Sequence, residues 1–291
     1  MRSIVSEDNF RTKQVTSWIT SHVGPPTGSL LRLRGATTAD VMAVETKRGS
    51  FVLKLFSHQA FVAERPDRAV HEAAMLDLLE PTDVPAPRLI AVDGDGLECS
   101  VPAVLMTRLP GKAGVGPRQA VEMVDIAMSL HSLQLDVPWI FERYNHRVEL
   151  RPPAWGSDAG LWEECLAITT SNPPSDSWGL IHRDFNSTNF LVDGDRVSGL
   201  VDWLSACRGP FGIDAARLRL DLTMDGRGVV ADTVANAFRR SGHDVIDPHW
   251  DLVDAVDLLP FYEGFEAVDR WEDSAKRERL EGFMRRALGS L

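Results

Sequence analysis

Several things are scarce in this chain, and each scarcity removes a class of protein. It holds only three cysteines, Cys99, Cys165 and Cys207, isolated from one another and with no Cys-x-x-Cys pair. An odd set of scattered thiols argues against a disulfide framework and against structural zinc, and for a reducing, cytoplasmic setting. No apolar run approaches the ~20 residues that cross a bilayer. The opening Met1-Arg-Ser-Ile-Val-Ser-Glu-Asp8 lacks the apolar centre of a signal peptide. Basic charge is not in excess: the formal net charge is −11, which repels nucleic acid. There is no internal repeat and no low-complexity tract. Neither a membrane nor a nucleic acid is expected as a partner.

What is present is ordinary globular material. The 291 residues are 44% hydrophobic and 25% charged, enough for a substantial core in one two-lobed domain or two small ones. The first third alternates short strand-like runs with one helix, and the rest reads as mainly helical. Pro110-Gly111 breaks regular structure, so the lobe boundary is expected between Thr107 and Gly111, with residues 1–107 forming one lobe and 108–291 the other. Negative charge is uneven: residues 1–107 carry 11 basic and 13 acidic side chains, against 20 and 29 in residues 108–291. An acidic second lobe would steer cationic small molecules inward.

The most informative stretch is Leu180-Ile-His-Arg-Asp-Phe-Asn-Ser-Thr-Asn-Phe-Leu191, followed by Gly199-Leu-Val-Asp-Trp203. Asp and Asn in a polar loop are often only turn formers. Here the loop lies between two apolar segments, Asp193-Gly-Asp195 then makes a tight hairpin turn, and a second strand delivers Asp202. That order fits phosphoryl transfer. Asp184 would accept the proton of an attacking hydroxyl, while Asn189 and Asp202 would hold Mg²⁺ against a nucleotide's phosphates. Such a reaction asks the protein to position a nucleophile and neutralise charge.

A centre of this type also needs a lysine for the phosphates and a glutamate to hold it. Lys54 closes the strand-like run Phe51-Val-Leu-Lys54. Glu72 lies in a predicted helix over residues 66–80, with Pro66 in its first turn, Asp67 at its positive end and Pro81 as its stop. The loop ahead of the lysine strand has one glycine, Gly35, beside Thr37 and Thr38. A turn of Gly and Thr can offer backbone N–H and hydroxyl groups to phosphate, although it is also an ordinary hairpin composition.

With these residues assembled, the chain resembles the aminoglycoside phosphotransferase family, small-molecule kinases with a protein-kinase-like fold. The resemblance spans roughly residues 30 to 265. It implies an α+β, bilobal protein-kinase-like fold: a small antiparallel β-sheet lobe with one helix, and a larger mainly helical lobe. It implies Asp184 as base, Asn189 and Asp202 as magnesium ligands, and Lys54 with Glu72 as the phosphate-anchoring pair. Val101-Pro-Ala-Val-Leu-Met-Thr-Arg-Leu-Pro-Gly111 resembles the family's hinge strand, so backbone groups around Met106, Thr107 and Leu109 are expected at the purine, with Val52 and Leu191 on its two faces. Met128-Ser-Leu-His-Ser-Leu133 resembles the helix end before the family's variable insert. Gly209-Pro-Phe-Gly-Ile-Asp214 resembles a segment whose aspartate, here Asp214, braces the catalytic loop together with His182. The chain departs from the family's antibiotic kinases at Arg183, where those usually have glycine, and at Gly209-Pro210, which lacks an intervening aspartate.

The expected reaction is transfer of the γ-phosphate of ATP or GTP, with Mg²⁺, to a hydroxyl of a small molecule, by a monomer or homodimer. The acceptor is an aminoglycoside or other antibiotic, or a choline-, sugar- or amino-alcohol-type metabolite. Asp251, Asp254 and Asp257 recur every third residue and would share one side of a helix. An amphipathic surface helix explains that spacing, above all for Asp251. By resemblance to kinases of cationic antibiotics, Asp254, Asp257 and Glu263 are candidate acceptor ligands, and Trp250 and Tyr262 are either flat contacts for a sugar or core. A protein kinase fits less well, because no Ala-Pro-Glu segment or long activation loop follows Asp202. A non-catalytic nucleotide-binding protein would be expected to have lost Lys54, Asp184 or Asp202, and all three are present.

Overall fold

Alternation of apolar side chains in the first hundred residues builds a five-stranded antiparallel sheet. Its strands are β1 (Leu31–Arg32), β2 (Asp40–Thr46), β3 (Gly49–Leu55), β4 (Leu89–Asp93) and β5 (Ala103–Thr107), in the order β1-β2-β3-β5-β4. These come from a computed structural model, which describes residues 4–33, 39–144, 150–171, 173–174, 177–243, 245–259 and 273–291. The chain separates into two units, Met1–Pro110 with Gly199–Ser205, and Gly111–Ser198 with Ala206–Leu291.

In the first unit, successive β3 side chains point to opposite faces of the sheet. Phe51, Leu53 and Leu55 pack with Val15, Trp18, Ile19 and Val23 of helix α1 (Ile4–Val23). Val52 and Lys54 therefore share the other face. After a short helix α2 (Gln59–Glu64), helix α3 (Arg68–Leu79) contacts β4 and β5, burying Ala69, Ala73, Met75, Leu76 and Leu79. Helices α1 and α2 are additions to the single helix read from sequence. Helix α3 begins two residues later than predicted, since Pro66 and Asp67 form a turn ahead of it.

The second unit is mainly helical: α4 (Ala120–His131), α5 (Ala159–Thr169), α6 (Gly212–Met224), α7 (Gly228–Ser241), α8 (Pro248–Asp257) and α9 (Ser274–Leu288). Its core joins Leu161, Trp162 and Cys165 of α5 to Leu220, Leu252, Val256, Leu280, Phe283 and Met284. Strand β6 (Lys112–Ala113) pairs with β8 (Phe190–Asp193), which neighbours β9 (Arg196–Leu200). Gly194, at φ +60°, makes the β8–β9 turn, a backbone conformation glycine takes without steric cost. Strand β7 (Trp178–Ile181) pairs antiparallel with β10 (Cys207–Pro210).

Helix α8 corrects a sequence expectation. All residues from His249 to Asp257 are buried, so this is an interior helix and not an amphipathic surface one. Trp250 is core: it meets Phe141 edge-on and lies over Gly212. All three cysteines are buried and none is disulfide-bonded. Among the described residues no helix is long and apolar enough to cross a membrane.

Candidate functional site

In the first unit the lysine strand assembles a charged constellation under an apolar surface. Val52 is the cross-strand partner of Met106, and Lys54 of Val104, so these four side chains lie on one face of the sheet. The Lys54 ammonium is buried, with Glu72 Oε2 at 2.8 Å and Asp202 Oδ1 at 2.6 Å. Burial works to lower the Lys54 pKa, but Asp202 and Glu72 outweigh it and hold it above its ordinary value. Burial pushes the Glu72 carboxyl up, against the pull of Lys54. Asp202 keeps a partly exposed side chain and stands at φ +73°, a left-handed conformation uncommon for a residue with a Cβ. Met106 is buried; Thr107 and Leu109 are half-buried. Thr107 N–H donates to the Arg88 carbonyl at 2.9 Å, so that backbone donor is already engaged. Leu109 lies against Gly199, where a Cβ would fall 2.2 Å from its Cδ1.

In the second unit residues 182–189 form a loop fastened from one face of α6. Asp214 and Asp221, seven apart, and Arg217 between them lie along that face. Asp214 is fully buried and accepts the N–H of His182 at 2.9 Å and of Arg183 at 2.8 Å. Asp221 accepts the N–H of Ser187 at 2.9 Å. Arg217 donates Nε and Nη2 to Asp184 Oδ1, each at 3.2 Å. Asn186 Nδ2 adds a third donor to that oxygen at 2.9 Å. Asp184 Oδ2 receives Asn189 Nδ2 at 3.1 Å, and the same amide group donates to the Asp184 carbonyl at 2.9 Å. Burial works to raise the Asp184 carboxyl, but Arg217, with the His182 ring and the two amides, holds it below its ordinary range. Asp214 also faces His131 Nε2 at 3.2 Å, and His131 Nδ1 lies 2.9 Å from His243 Nε2. Leu191 is half-buried on β8 in this unit.

Beside the loop is a buried set of paired charges. Arg183 stands at φ +71° with its guanidinium over Tyr144 at 3.9 Å and Phe141 at 4.7 Å. It hydrogen-bonds Asp257 and lies 3.7 Å from Asp254. Arg217 Nη1 is 4.0 Å from Asp254, and Arg219 Nη1 meets both Asp251 oxygens at 2.8 and 2.9 Å. Burial pushes the Asp254 carboxyl up to about 7, against Arg217 and Arg183, and that of Asp251 up to about 6, against Arg219. The side chains of Asp254 and Asp257 are fully buried, so neither lines an open acceptor pocket in this structure. The acids of α8 face arginines from α6 and the loop, partners that helical spacing alone does not reveal.

Each of the two expected magnesium ligands, taken within its own unit, can present an oxygen, the donor type a hard cation takes. Magnesium typically takes one or two side-chain oxygens and completes its shell with phosphates and water. Both Nδ2 contacts of Asn189 are to acceptors, which leaves its amide oxygen as the atom to offer a metal. Asp202 has a second carboxylate oxygen beyond the one facing Lys54. Among the described residues no group of three or more His, Cys, Asp or Glu could hold a metal ion.

Gly35 and Glu263, with Tyr262, fall outside the described residues. Arg217 and Asn186 are the functional candidates that sequence reading passed over. The available signal was the polar stripe Asp214, Arg217, Asp221 set among Leu218, Leu220 and Leu222.

The family model described as "Phosphotransferase enzyme family" matches residues 29–249. A search of curated protein sequences returns no match. Among solved structures, a thermostable mutant of aminoglycoside phosphotransferase APH(4)-Ia, in ternary complex with AMP-PNP and hygromycin B, superposes with a TM-score of 0.70 at 12% identity, covering 94% of this chain and 98% of that one. Macrolide 2'-phosphotransferase MphH from Brachybacterium faecium gives 0.62 at 16% identity over 94% and 98%. An aminoglycoside-3'-phosphotransferase of type VIII gives 0.62 at 18% identity over 84% and 97%. These likenesses establish the fold, the protein-kinase-like architecture of small-molecule phosphotransferases.

Proposed function

Because this chain belongs to the phosphotransferase enzyme family, we propose that it transfers the γ-phosphate of ATP or GTP to a hydroxyl of a small molecule, with Asp184 as the base. The observation that carries this reading is the state of Asp184. Its carboxylate is partly exposed, kept ionised by Arg217, and held on a loop whose backbone is tied to buried Asp214 and Asp221. The acceptor oxygen bonds to the γ-phosphorus as the bond from that phosphorus to the β–γ bridging oxygen breaks. The electron pair leaves on the nucleoside diphosphate, and the hydroxyl proton passes to Asp184. A base of this kind orients the hydroxyl more than it drives its ionisation.

Lys54, held by Glu72, is the proposed phosphate anchor, and Val52, Met106 and Leu191 are proposed to bracket the purine beside the backbone of Leu109. Asn189 and Asp202 are the proposed magnesium ligands; the ion, when bound, neutralises phosphate charge. Three buried thiols without a disulfide suit a cytoplasmic setting. Retention of Lys54, Asp184 and Asp202 with these contacts weighs against a non-catalytic nucleotide-binding protein.

For the acceptor, an aminoglycoside or other antibiotic is one reading, in line with what the structural neighbours are named for. A sugar, choline-type or amino-alcohol metabolite is the other. It is favoured by the engagement of Asp251, Asp254 and Asp257 with arginines, which leaves those carboxylates unavailable to a polycation. The deciding experiment is release of ADP or GDP with Mg²⁺ across aminoglycosides, macrolides, amino-alcohols and sugars, in wild type and Asp184→Asn. A signal lost in Asp184→Asn while nucleotide still binds supports the assignment. Unimpaired turnover in that variant overturns it.

A further inference from the structure

The two oxygens of Asp184 are not equivalent, and Arg217 makes the difference. A carboxylate offers about four lone-pair positions over its two oxygens. Oδ1 accepts three donors, from Arg217 Nε, Arg217 Nη2 and Asn186 Nδ2, at 3.2, 3.2 and 2.9 Å. Oδ2 accepts one side-chain donor, Asn189 Nδ2, at 3.1 Å. Oδ1 is saturated, while Oδ2 keeps room for one further hydrogen bond.

The guanidinium that saturates Oδ1 is itself fixed. Its side chain is largely buried and Nη1 faces Asp254 at 4.0 Å. Asp254 is fully enclosed, with neither carboxylate oxygen hydrogen-bonded; its only cationic neighbours within 4 Å among the described residues are Arg217 and Arg183. Arg217 also lies one turn beyond Asp214, the residue that holds the backbone of the same loop. One face of α6 thus grips the loop three times, through the main chain at His182 and Arg183, through the main chain at Ser187, and through the side chain at Asp184. A planar fork donating through two nitrogens defines the carboxylate plane, as a lysine's point charge cannot.

We propose that Arg217 is a positioning residue for the transfer step, clamping Asp184 through Oδ1 so that Oδ2 alone receives the acceptor's hydroxyl proton. This rests on the phosphotransferase reading above for its consequence in turnover, but the clamp itself is a property of the chain. It makes Arg217 matter to turnover rather than to nucleotide affinity, because its contacts are with the base and with Asp254.

The test has two arms on the full chain. The first needs no turnover: thermal midpoints of wild type, Arg217→Met, Asp184→Asn and the double variant. A clamp predicts that the double variant's shift departs from the sum of the single shifts by more than measurement error. Additive shifts overturn the pairing. The second arm measures steady-state MgATP hydrolysis with water as acceptor, and transfer to any acceptor found in the panel. Arg217→Met is expected to lower kcat at least 10-fold while nucleotide KM changes less than 2-fold. Arg217→Lys should recover part of the loss, and added guanidinium ion should partly restore Arg217→Ala. An unchanged kcat, or a loss confined to nucleotide KM, overturns the positioning role. A wild-type chain without any turnover, alongside non-additive midpoints, defeats the phosphotransferase reading and leaves the clamp standing without its role in transfer.

Discussion

Replacing Arg183 by glycine sets two effects against each other. At φ +71° the arginine backbone sits where a Cβ crowds the following carbonyl, a cost of roughly 1–2 kcal/mol that glycine avoids. Glycine returns roughly 0.5–1 kcal/mol of that through its greater freedom in the unfolded chain. Against this small gain stands the guanidinium, buried with Asp257 hydrogen-bonded to it, Asp254 at 3.7 Å and the Tyr144 ring at 3.9 Å. Removing one partner of a buried pair strands the other, typically at about 3–5 kcal/mol. The pair wins, and Arg183→Gly should destabilise the protein by about 2–4 kcal/mol. At roughly 2–4 °C per kcal/mol for units of this size, the thermal midpoint should fall by roughly 4–16 °C. Urea unfolding followed by tryptophan fluorescence reports the free energy, since Trp162 and Trp203 are fully buried. Arg183→Gly with Asp257→Asn, which removes the stranded charge, should recover part of the loss. A glycine variant as stable as wild type would mean that backbone strain outweighs the ion pair, and the reasoning would fail.

Two further outcomes are expected. Asp254, held at about 7 in the fold against an ordinary value near ~3.9, contributes stability that is present below the unfolded pKa and is lost as pH rises through about 7. Wild type should therefore lose more stability than Asp254→Asn between pH 5 and pH 8 in paired thermal scans; parallel curves would contradict that burial. At Gly199 an added Cβ would lie 2.2 Å from Leu109 Cδ1 and 3.2 Å from the Pro85 carbonyl, while Leu200 N–H holds that carbonyl at 2.8 Å. Gly199→Ala must turn Leu109 aside at a cost of about 1–3 kcal/mol and raise nucleotide KM several-fold; a fall in kcat at unchanged KM would count against Leu109 as a purine contact.

Sequence order carried the architecture because local signals and fold agree: the Asp193-Gly-Asp195 turn and the helix stopped by Pro81 both survive in the structure. The meeting of Lys54 with Glu72 was readable because a strand followed by one buried helix leaves few places for either charge. Helix α8 was misread for the opposite reason. An aspartate at every third position looks solvent-facing until its arginines are known, and Arg183, Arg217 and Arg219 lie more than thirty residues away. Arg217 stood out less: the stripe Asp214, Arg217, Asp221 marks a polar face on α6, but nothing local names the carboxylate on another segment that the arginine meets. Long-range pairing of buried charge leaves no periodicity to read.

The seclusion of the three cysteines, with side chains buried in the folded chain, also has a practical side. A folded sample offers no native thiol at its surface to a maleimide or a spin label. One cysteine at Leu97 in the first unit and another at Val229 in the second, both well exposed, would then be the only readily labelled positions. The distance between two such probes, followed as MgATP is added, would show directly whether the units move on one another during turnover.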